Sequence, residues 1–330
     1  MRICIYGAGA MGTVLGAFLT KNGIPVDLVS RNAEHVACLK TNGAQITGKA
    51  NFIVPVSARL PEEMTGEYDL IFLMTKQREN PTIASFLKPF LGDQGVICTM
   101  QNGLPERAVA DVIGKDRTYG CAVVWGANML CPGKAELTSE TMSFSVGAFG
   151  GGTKAREIAT VLSSVGTVRV EENLIGVRWA KLMTNASFSG LSVITGKSFG
   201  ALAKNFKSRR ILQQIIKESI DVADAAGIRI ERLQGRDIRR IFDYRNPLKK
   251  CVSFFLLPFA IKRHSSLVSG MLLDLQRGKK TEIDFITGIV SRYGKEYGVE
   301  TPASDKVIEL VHGIENGLYE ICTDNLDFFA

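Results

Sequence analysis

A parallel α/β sheet in the first half and an all-helical second half is the fold class that the sequence predicts, and three observations carry it. A strand, a glycine turn, a helix and a second strand follow one another within residues 2–31. Short apolar runs then alternate with helical stretches as far as Val170. Beyond Asn173 the two-residue alternation of strands disappears and long segments of helical period replace it. A chain of 330 residues has room for two domains, placed here at 1–171 and 172–330.

Taken in order, Arg2–Tyr6 reads as a buried strand and Gly7, Ala8, Gly9, Ala10, Met11 and Gly12 form the pattern G-A-G-A-M-G. Met11–Asn22 reads as a helix ending at Gly23, and Ile24–Arg31 as the next strand. In that context the first glycine allows the tight turn, the second leaves room for a pyrophosphate and the third permits close helix packing. The helix N-terminus adds unpaired N–H groups and positive potential for the phosphates. The first half is therefore expected to be a Rossmann-type dinucleotide-binding domain. Its second strand ends in Ser30-Arg31, whereas Asp27 lies too early to be the ribose-binding acid of an NAD site. A guanidinium suits a 2′-phosphate, so NADP(H) is the expected cofactor.

The α/β rhythm continues through a strand at Asp69–Met74 leading to Thr75-Lys76, a helix at Ile83–Leu91, and a strand at Gly95–Met100 leading to Gln101-Asn102-Gly103. Lys76 and Asn102 sit just past the carboxyl ends of strands, where such sheets bind ligands. Tyr119–Trp125, Ala135–Leu137 and Phe144–Val146 add strands, and helix Lys154–Val165 with strand Thr167–Val170 closes the domain.

In the second half, helices are expected at Asn173–Ser192, Arg209–Ala226, Ser265–Gln276, Ile283–Tyr297 and Ala303–Glu320, with a less regular 231–264 stretch. Lys181, Asn185 and Ser189 fall at i, i+4 and i+8 on one helix face. A cation and an amide there would suit a carbonyl substrate that bears a carboxylate, because hydride attack develops negative charge on the ketone oxygen. Near the end of the chain Thr281 can cap a helix with Glu282 and Asp284 in its first turn, which explains one acid and leaves the other for function.

Composition narrows the remaining classes. The chain is 45% hydrophobic and 22% charged, which fits a globular protein. Its net charge of +7 is dispersed, which disfavours nucleic-acid binding and favours anionic small molecules. Seven scattered cysteines and three histidines support neither a disulfide framework nor a metal site. The N-terminal residues enter a strand without a signal-peptide pattern, so the cytoplasm is the expected compartment. Val252–Ile261 is apolar but too short to span a bilayer; a buried segment, a homodimer contact and a membrane-surface contact stay open for it.

Together, "GAGAMG" at the start, Thr75-Lys76, Gln101–Gly103, "WAKLMTNASFS" at 179–189 and "SGMLLDLQRGKKTEID" at 269–284 resemble the ketopantoate reductase (2-dehydropantoate 2-reductase) family over essentially the full chain. The resemblance implies an NADPH-dependent reductase with its active site in a cleft between a Rossmann domain and a helical domain. Lys181 matches the lysine that polarises and protonates the ketone, and Glu282 the glutamate near that lysine, the substrate and the cofactor ribose. Asn102 matches the asparagine beside the nicotinamide, Lys76 the cofactor-side lysine, Arg31 the 2′-phosphate ligand and Gly126 a backbone contact to the cofactor. Asn185 matches the substrate-hydroxyl asparagine, and Ser269 one of a pair of substrate-side serines. The pattern departs at Ser189 and Phe199, where ketopantoate-specific members carry asparagine, and at Gly270, where they carry serine. Segment 231–264 is also long and aromatic for the family, which points to a rebuilt pocket mouth.

The leading expectation is reduction of a 2-keto acid to a 2-hydroxy acid, with 2-dehydropantoate the best single substrate and pantothenate biosynthesis the implied setting. The alternatives are a bulkier 2-keto acid, a dehydrogenase working in the alcohol-oxidising direction, and a non-catalytic NADP(H)-binding sensor or scaffold.

Overall fold

Strands buried on both faces need apolar residues at every position, and Ile3–Tyr6 is such a run. In a computed structural model, which describes all residues except 233, 234, 236 and 330, it is an interior strand of a large sheet. The chain divides into two compact units, Met1–Gln101 with Pro105–Leu174, and Asn102–Leu104 with Ile175 onward.

The first unit opens with β1 (Ile3–Tyr6), α1 (Ala10–Lys21), β2 (Val26–Val29), α2 (Ala33–Asn42), β3 (Ala44–Gly48), β4 (Phe52–Val54) and β5 (Ser57–Arg59). It continues with β6 (Tyr68–Leu73), α3 (Asn80–Leu87), β7 (Leu91–Thr99), α4 (Glu106–Ile113) and β8 (Thr118–Val124). A last stretch holds β9 (Ala127–Cys131), β10 (Lys134–Leu137), β11 (Ser143–Ala148), α5 (Ala155–Ser163) and β12 (Thr167–Val170). The main sheet runs β12-β11-β8-β7-β6-β1-β2-β5, parallel throughout except between β8 and β11. Alternation sends Ile3 and Ile5 to the core that holds Val14 and Leu15 of α1, and Cys4 and Tyr6 to the core that holds Ile83, Leu87 and Val109. Strand order leaves β1 in one direction for β2 and returns on its other side as β6. That reversal places a ligand crevice at the carboxyl ends of β1 and β6. A second sheet, β4-β3-β10-β9, also lies in this unit and was not foreseen as a separate layer.

Two boundaries differ for local reasons. The helix expected over Ile83–Leu91 ends at Leu87, and a 3-10 turn at Lys88–Phe90 leads into β7 four residues ahead of Gly95. Register shifts between Tyr68 and Leu70, so the early part of β7 is irregular, and Arg117 donates to the carbonyls of Gly92 and Gly95 there.

The second unit holds α6 (Leu174–Thr195), α7 (Phe199–Lys204), α8 (Phe206–Ala225), α9 (Ile238–Phe242) and α10 (Pro247–Ala260). It ends with α11 (Gly270–Gln276), α12 (Thr287–Tyr297) and α13 (Pro302–Glu315). Trp179, Met183, Leu191, Leu212 and Val307 are fully buried in one core. The Trp179 indole donates to the Ser219 carbonyl at 2.9 Å, tying α6 to α8. Glu218 of α8 accepts from the amides of Ala303 and Ser304 at 2.8 and 2.9 Å and so caps α13 from a neighbouring helix.

The helix expected from Ser265 begins only at Gly270, because the carbonyls of Ser265 and Leu267 accept instead from the amides of Gly200 and Phe199. The last long helix stops at Glu315, where the chain turns through Gly317 at φ +73°. Segment 231–264, whose residues 233, 234 and 236 lie outside the described residues, is helical rather than irregular over α9 and α10. Pro258 falls in the last turn of α10, where it removes the bond an N–H would make to the Phe254 carbonyl, and the helix ends two residues later. The apolar patch is not a buried segment: Leu248, Val252, Phe255, Leu256 and Phe259 form an exposed stripe while Ser253 and Leu257 face inward. Among the described residues no helix is long and apolar enough to cross a membrane.

Candidate functional site

The glycine turn shows what each of its residues has to do. Gly7 has φ +103°, and a Cβ there would lie 2.6 Å from the Thr75 amide nitrogen. A Cβ on Gly12 would lie 2.6 Å from the Gly7 carbonyl oxygen. At Gly9, by contrast, a Cβ would meet nothing within 4 Å. This open cradle lies at the N-cap of α1, whose first turn has no side-chain cap and no acidic residue. Backbone donors at an uncapped helix start, with open space before them, fit the pyrophosphate of a dinucleotide. Ala8, Ala10 and Met11 complete the turn, with the Ala8 amide donating to Val29 at 2.9 Å.

A buried histidine, which sequence reading passed over, braces this turn. His35 Nδ1 accepts from the Gly133 amide at 2.9 Å, so Nε2 carries the proton and donates to Thr13 Oγ1 at 3.1 Å. Thr13 Oγ1 in turn donates to the Ala8 carbonyl at 3.4 Å. Burial pushes the His35 pKa down, partly opposed by the Ala8 carbonyl, in keeping with a neutral ring.

Around the crevice of the first unit, Arg31 follows β2 and Lys76 follows β6. Arg31 is not an isolated guanidinium: its Nη1 lies 2.8 Å from Glu79 Oε2, an acid that sequence reading did not single out. Lys76 is exposed at the start of the 3-10 turn Gln77–Glu79. That turn is anchored by Asn80, which exchanges two amide hydrogen bonds of 2.7 and 3.0 Å with Gln101, both side chains being buried. Gly126 donates its amide to Ser139 Oγ at 3.0 Å and accepts from the Thr138 amide at 3.0 Å, so its backbone N–H already has a partner. Asp27 lies inside β2 bonded to Ser57 and Tyr68, a structural role.

In the second unit, α6 is buried along its whole length except at Ile175, Lys181, Thr184 and Asn185. An ordinary wet helix face would be wider. Lys181 Nζ donates to Asn102 Oδ1 at 2.8 Å, and Leu104 packs against the same helical core. Asn102–Leu104 therefore belongs to the helical unit although it follows a strand of the sheet. Ser189 is buried at 7% exposure, so the half-open polar face extends from Lys181 to Asn185 and stops short of the expected i+8 position.

Glu282 sits half-buried at the start of a short 3-10 turn, Ile283–Phe285, and the α-helix expected from Ile283 begins only at Thr287. Thr281 accepts from the Ile283 amide at 3.3 Å, capping that turn rather than a helix. Asp284 is the acid with the structural role: its Oδ1 lies 2.9 Å from His312 Nε2. The other ring nitrogen of His312 lies 3.2 Å from Glu315 Oε2, and Glu315 Oε1 accepts from the Thr281 amide at 2.6 Å. His312 thus clamps both flanks of Glu282 from α13, a contact between distant residues that no local spacing reveals. His312→Ala should speed amide exchange at Thr281 and Ile283 about fivefold or more, read by hydrogen–deuterium exchange, with global stability nearly unchanged. Unaltered exchange there would show that the clamp does not hold the turn.

Ser269 caps α11, accepting from the Met271 amide at 3.1 Å, and is 2% exposed, so its hydroxyl has a structural role. Phe199 is also interior, its ring 5.1 Å from that of Phe188. A Cβ on Gly270 would meet nothing within 4 Å. No cluster of three or more metal-ligating side chains occurs among the described residues.

Comparison with known proteins identifies the family. The profile described as ketopantoate reductase PanE/ApbA matches residues 3–151, and that of the C-terminal region of the same family matches residues 173–315. The chain is 27% identical over 320 residues to a 2-dehydropantoate 2-reductase of Archaeoglobus fulgidus, covering 96% of this chain and 99% of the relative. It is 28% identical to the 2-dehydropantoate 2-reductase of Lactococcus lactis, over 96% and 98% of the two chains. A structure of D-mandelate dehydrogenase with NADH and anilino(oxo)acetate superposes with TM-score 0.82 at 26% identity, over 96% and 99% of the chains. The 2-dehydropantoate 2-reductase of Geobacter metallireducens gives TM-score 0.82 at 26% identity, over 95% and 100%. With a dinucleotide-type sheet, a helical second unit and both family regions matched in order, the chain belongs to the ketopantoate reductase family.

Proposed function

We propose that this protein reduces a 2-keto acid to the 2-hydroxy acid with NADPH, and that Lys181 is its proton donor. The observation that carries the reading is the Lys181–Asn102 hydrogen bond of 2.8 Å on an otherwise buried helix. Asn102 Oδ1 accepts from the ammonium and helps to direct Nζ. When bound, the nicotinamide supplies the hydride. As negative charge grows on the substrate oxygen, the ammonium stabilises it and passes a proton to the alkoxide. Glu282, held in place by the His312 clamp, supports the lysine and orients substrate and ribose. Asn185 lies one helical turn beyond Lys181 and binds the substrate's other polar groups. The glycine turn with Ala8, Ala10 and Met11, together with Arg31 and Lys76, holds the cofactor.

Ketopantoate is the first substrate to test, since the named 2-dehydropantoate reductases align over nearly their full lengths. A bulkier or aromatic 2-keto acid is the second. The family's asparagine near 199 is here a buried phenylalanine, Ser189 is interior, and the space beside Gly270 is open. The similar D-mandelate dehydrogenase was solved with an aromatic oxoacetate. Losing hydrogen bonds to a charged or polar substrate costs about 1.5–3 kcal/mol each, enough to change the preferred substrate. NADPH consumption with ketopantoate, phenylglyoxylate and branched 2-keto acids is the direct test. We expect turnover of at least one, with the highest kcat/KM naming the substrate. Tight NADPH binding without turnover of any would sink the enzymatic reading and favour an NADP(H)-binding sensor.

A further inference from the structure

We propose that Glu79 determines how strongly this protein distinguishes NADPH from NADH, by competing with the 2′-phosphate for Arg31. The inference deepens the cofactor reading above and rests on it. β1 lies between β2 and β6 in the sheet. Arg31 comes from the loop after β2 and Glu79 from the turn after β6, so their 2.8 Å ion pair crosses the carboxyl end of β1, where the glycine turn starts. Tyr6, the last residue of β1, lies beneath: burial pushes its phenol up, Arg31 opposes that shift, and Cys4 and Glu79 reinforce it.

The pair has little reason to exist for stability. Its side chains are 68% and 47% exposed, and ion pairs so open to solvent contribute little to folding. For a ligand the consequence is larger. A 2′-phosphate carries up to two negative charges and competes for the guanidinium, whose Nη1 Glu79 already holds. Binding NADPH therefore weakens the pair and leaves a carboxylate close to the phosphate. Binding NADH leaves the pair intact, and the ribose hydroxyls can donate to the carboxylate. Lys76 stands at the head of the same short turn and adds positive charge in favour of the phosphate. Glu79 subtracts from that advantage.

The test is a pair of binding titrations, following dinucleotide fluorescence for NADPH and NADH with wild type, Glu79→Gln and Glu79→Lys, supported by the thermal shift each ligand produces. In Glu79→Gln the Kd for NADPH should fall about threefold to tenfold while that for NADH changes less than twofold, and the gain should shrink at high salt. Glu79→Lys should move the ratio further in the same direction, and it keeps the test open if the glutamine variant folds poorly. An unchanged Kd ratio in both variants, with wild type binding either dinucleotide, would overturn the role of Glu79 alone. Failure of wild type to bind either dinucleotide would overturn the cofactor reading and this proposal together.

Discussion

Lys181→Ala should lower kcat for the preferred 2-keto acid by a factor of about 10² to 10⁴, the range in which a positioned general acid contributes. That corresponds to roughly 3–5 kcal/mol of lost transition-state stabilisation. The Kd for NADPH should stay within about threefold of wild type, because the proposed cofactor contacts lie in the glycine turn and its neighbouring loops. Folding should survive, since Lys181 is one of four positions on α6 that are not buried. Asn102→Ala should cost less, about tenfold in kcat, because the ammonium remains and only its fixed direction is lost. Steady-state kinetics and cofactor titration on the same preparations separate the two outcomes. Turnover unchanged in Lys181→Ala would remove this lysine from the mechanism.

Substitution within the glycine turn should separate binding from stability. Gly9→Val should retain the wild-type Tm within a few degrees, since a side chain there points into open space and the backbone φ of −80° suits any residue. Its NADPH affinity should fall about a hundredfold, roughly 2.7 kcal/mol, because the added methyl groups fill the cradle where the phosphates would approach the backbone. Gly7→Ala should behave in the opposite order. Its φ of +103° costs an L-residue about 1–3 kcal/mol, and a Cβ 2.6 Å from the Thr75 amide forces backbone apart for a similar further cost. Thermal unfolding of both variants, with and without NADPH, reads the contrast. A Gly9→Val protein that binds NADPH normally would show that the phosphates lie elsewhere.

Much of the fold was legible because it rests on local pattern. The buried run Ile3–Tyr6, the glycine turn and β12 could be read from spacing and apolar periodicity. The alternation of Cys4 and Tyr6 with Ile3 and Ile5 already says that both faces of that strand are covered. What was harder was helical structure whose hydrophobic period is obscured. Helix α10 looked irregular because apolar residues surround it on all sides and Pro258 interrupts it, yet Asn246 caps it and Pro247 starts it well. The short strands β3, β4 and β9 escaped notice because three to five residues carry too little alternation.

The candidate site divides along the same line. Glycine spacing and the run from Lys181 to Asn185 were sequence features, since helix and turn geometry follow from separations of a few residues. By capping chemistry alone Asp284 and Glu282 looked equivalent; the family resemblance singled out Glu282, and the packing of α13, which brings His312 to Asp284, gives Asp284 its structural role. Arg31 likewise read as a lone phosphate ligand until the sheet brought Glu79 to it from a different loop. Residue types and the local shapes they favour were readable along the chain: the turn, the cationic helix face and the order of α/β and helical halves. Tertiary structure alone decided the partners. Hydrogen bonds and ion pairs depend on distances of about 3 Å between groups remote along the chain, and only strand order and helix packing set those distances.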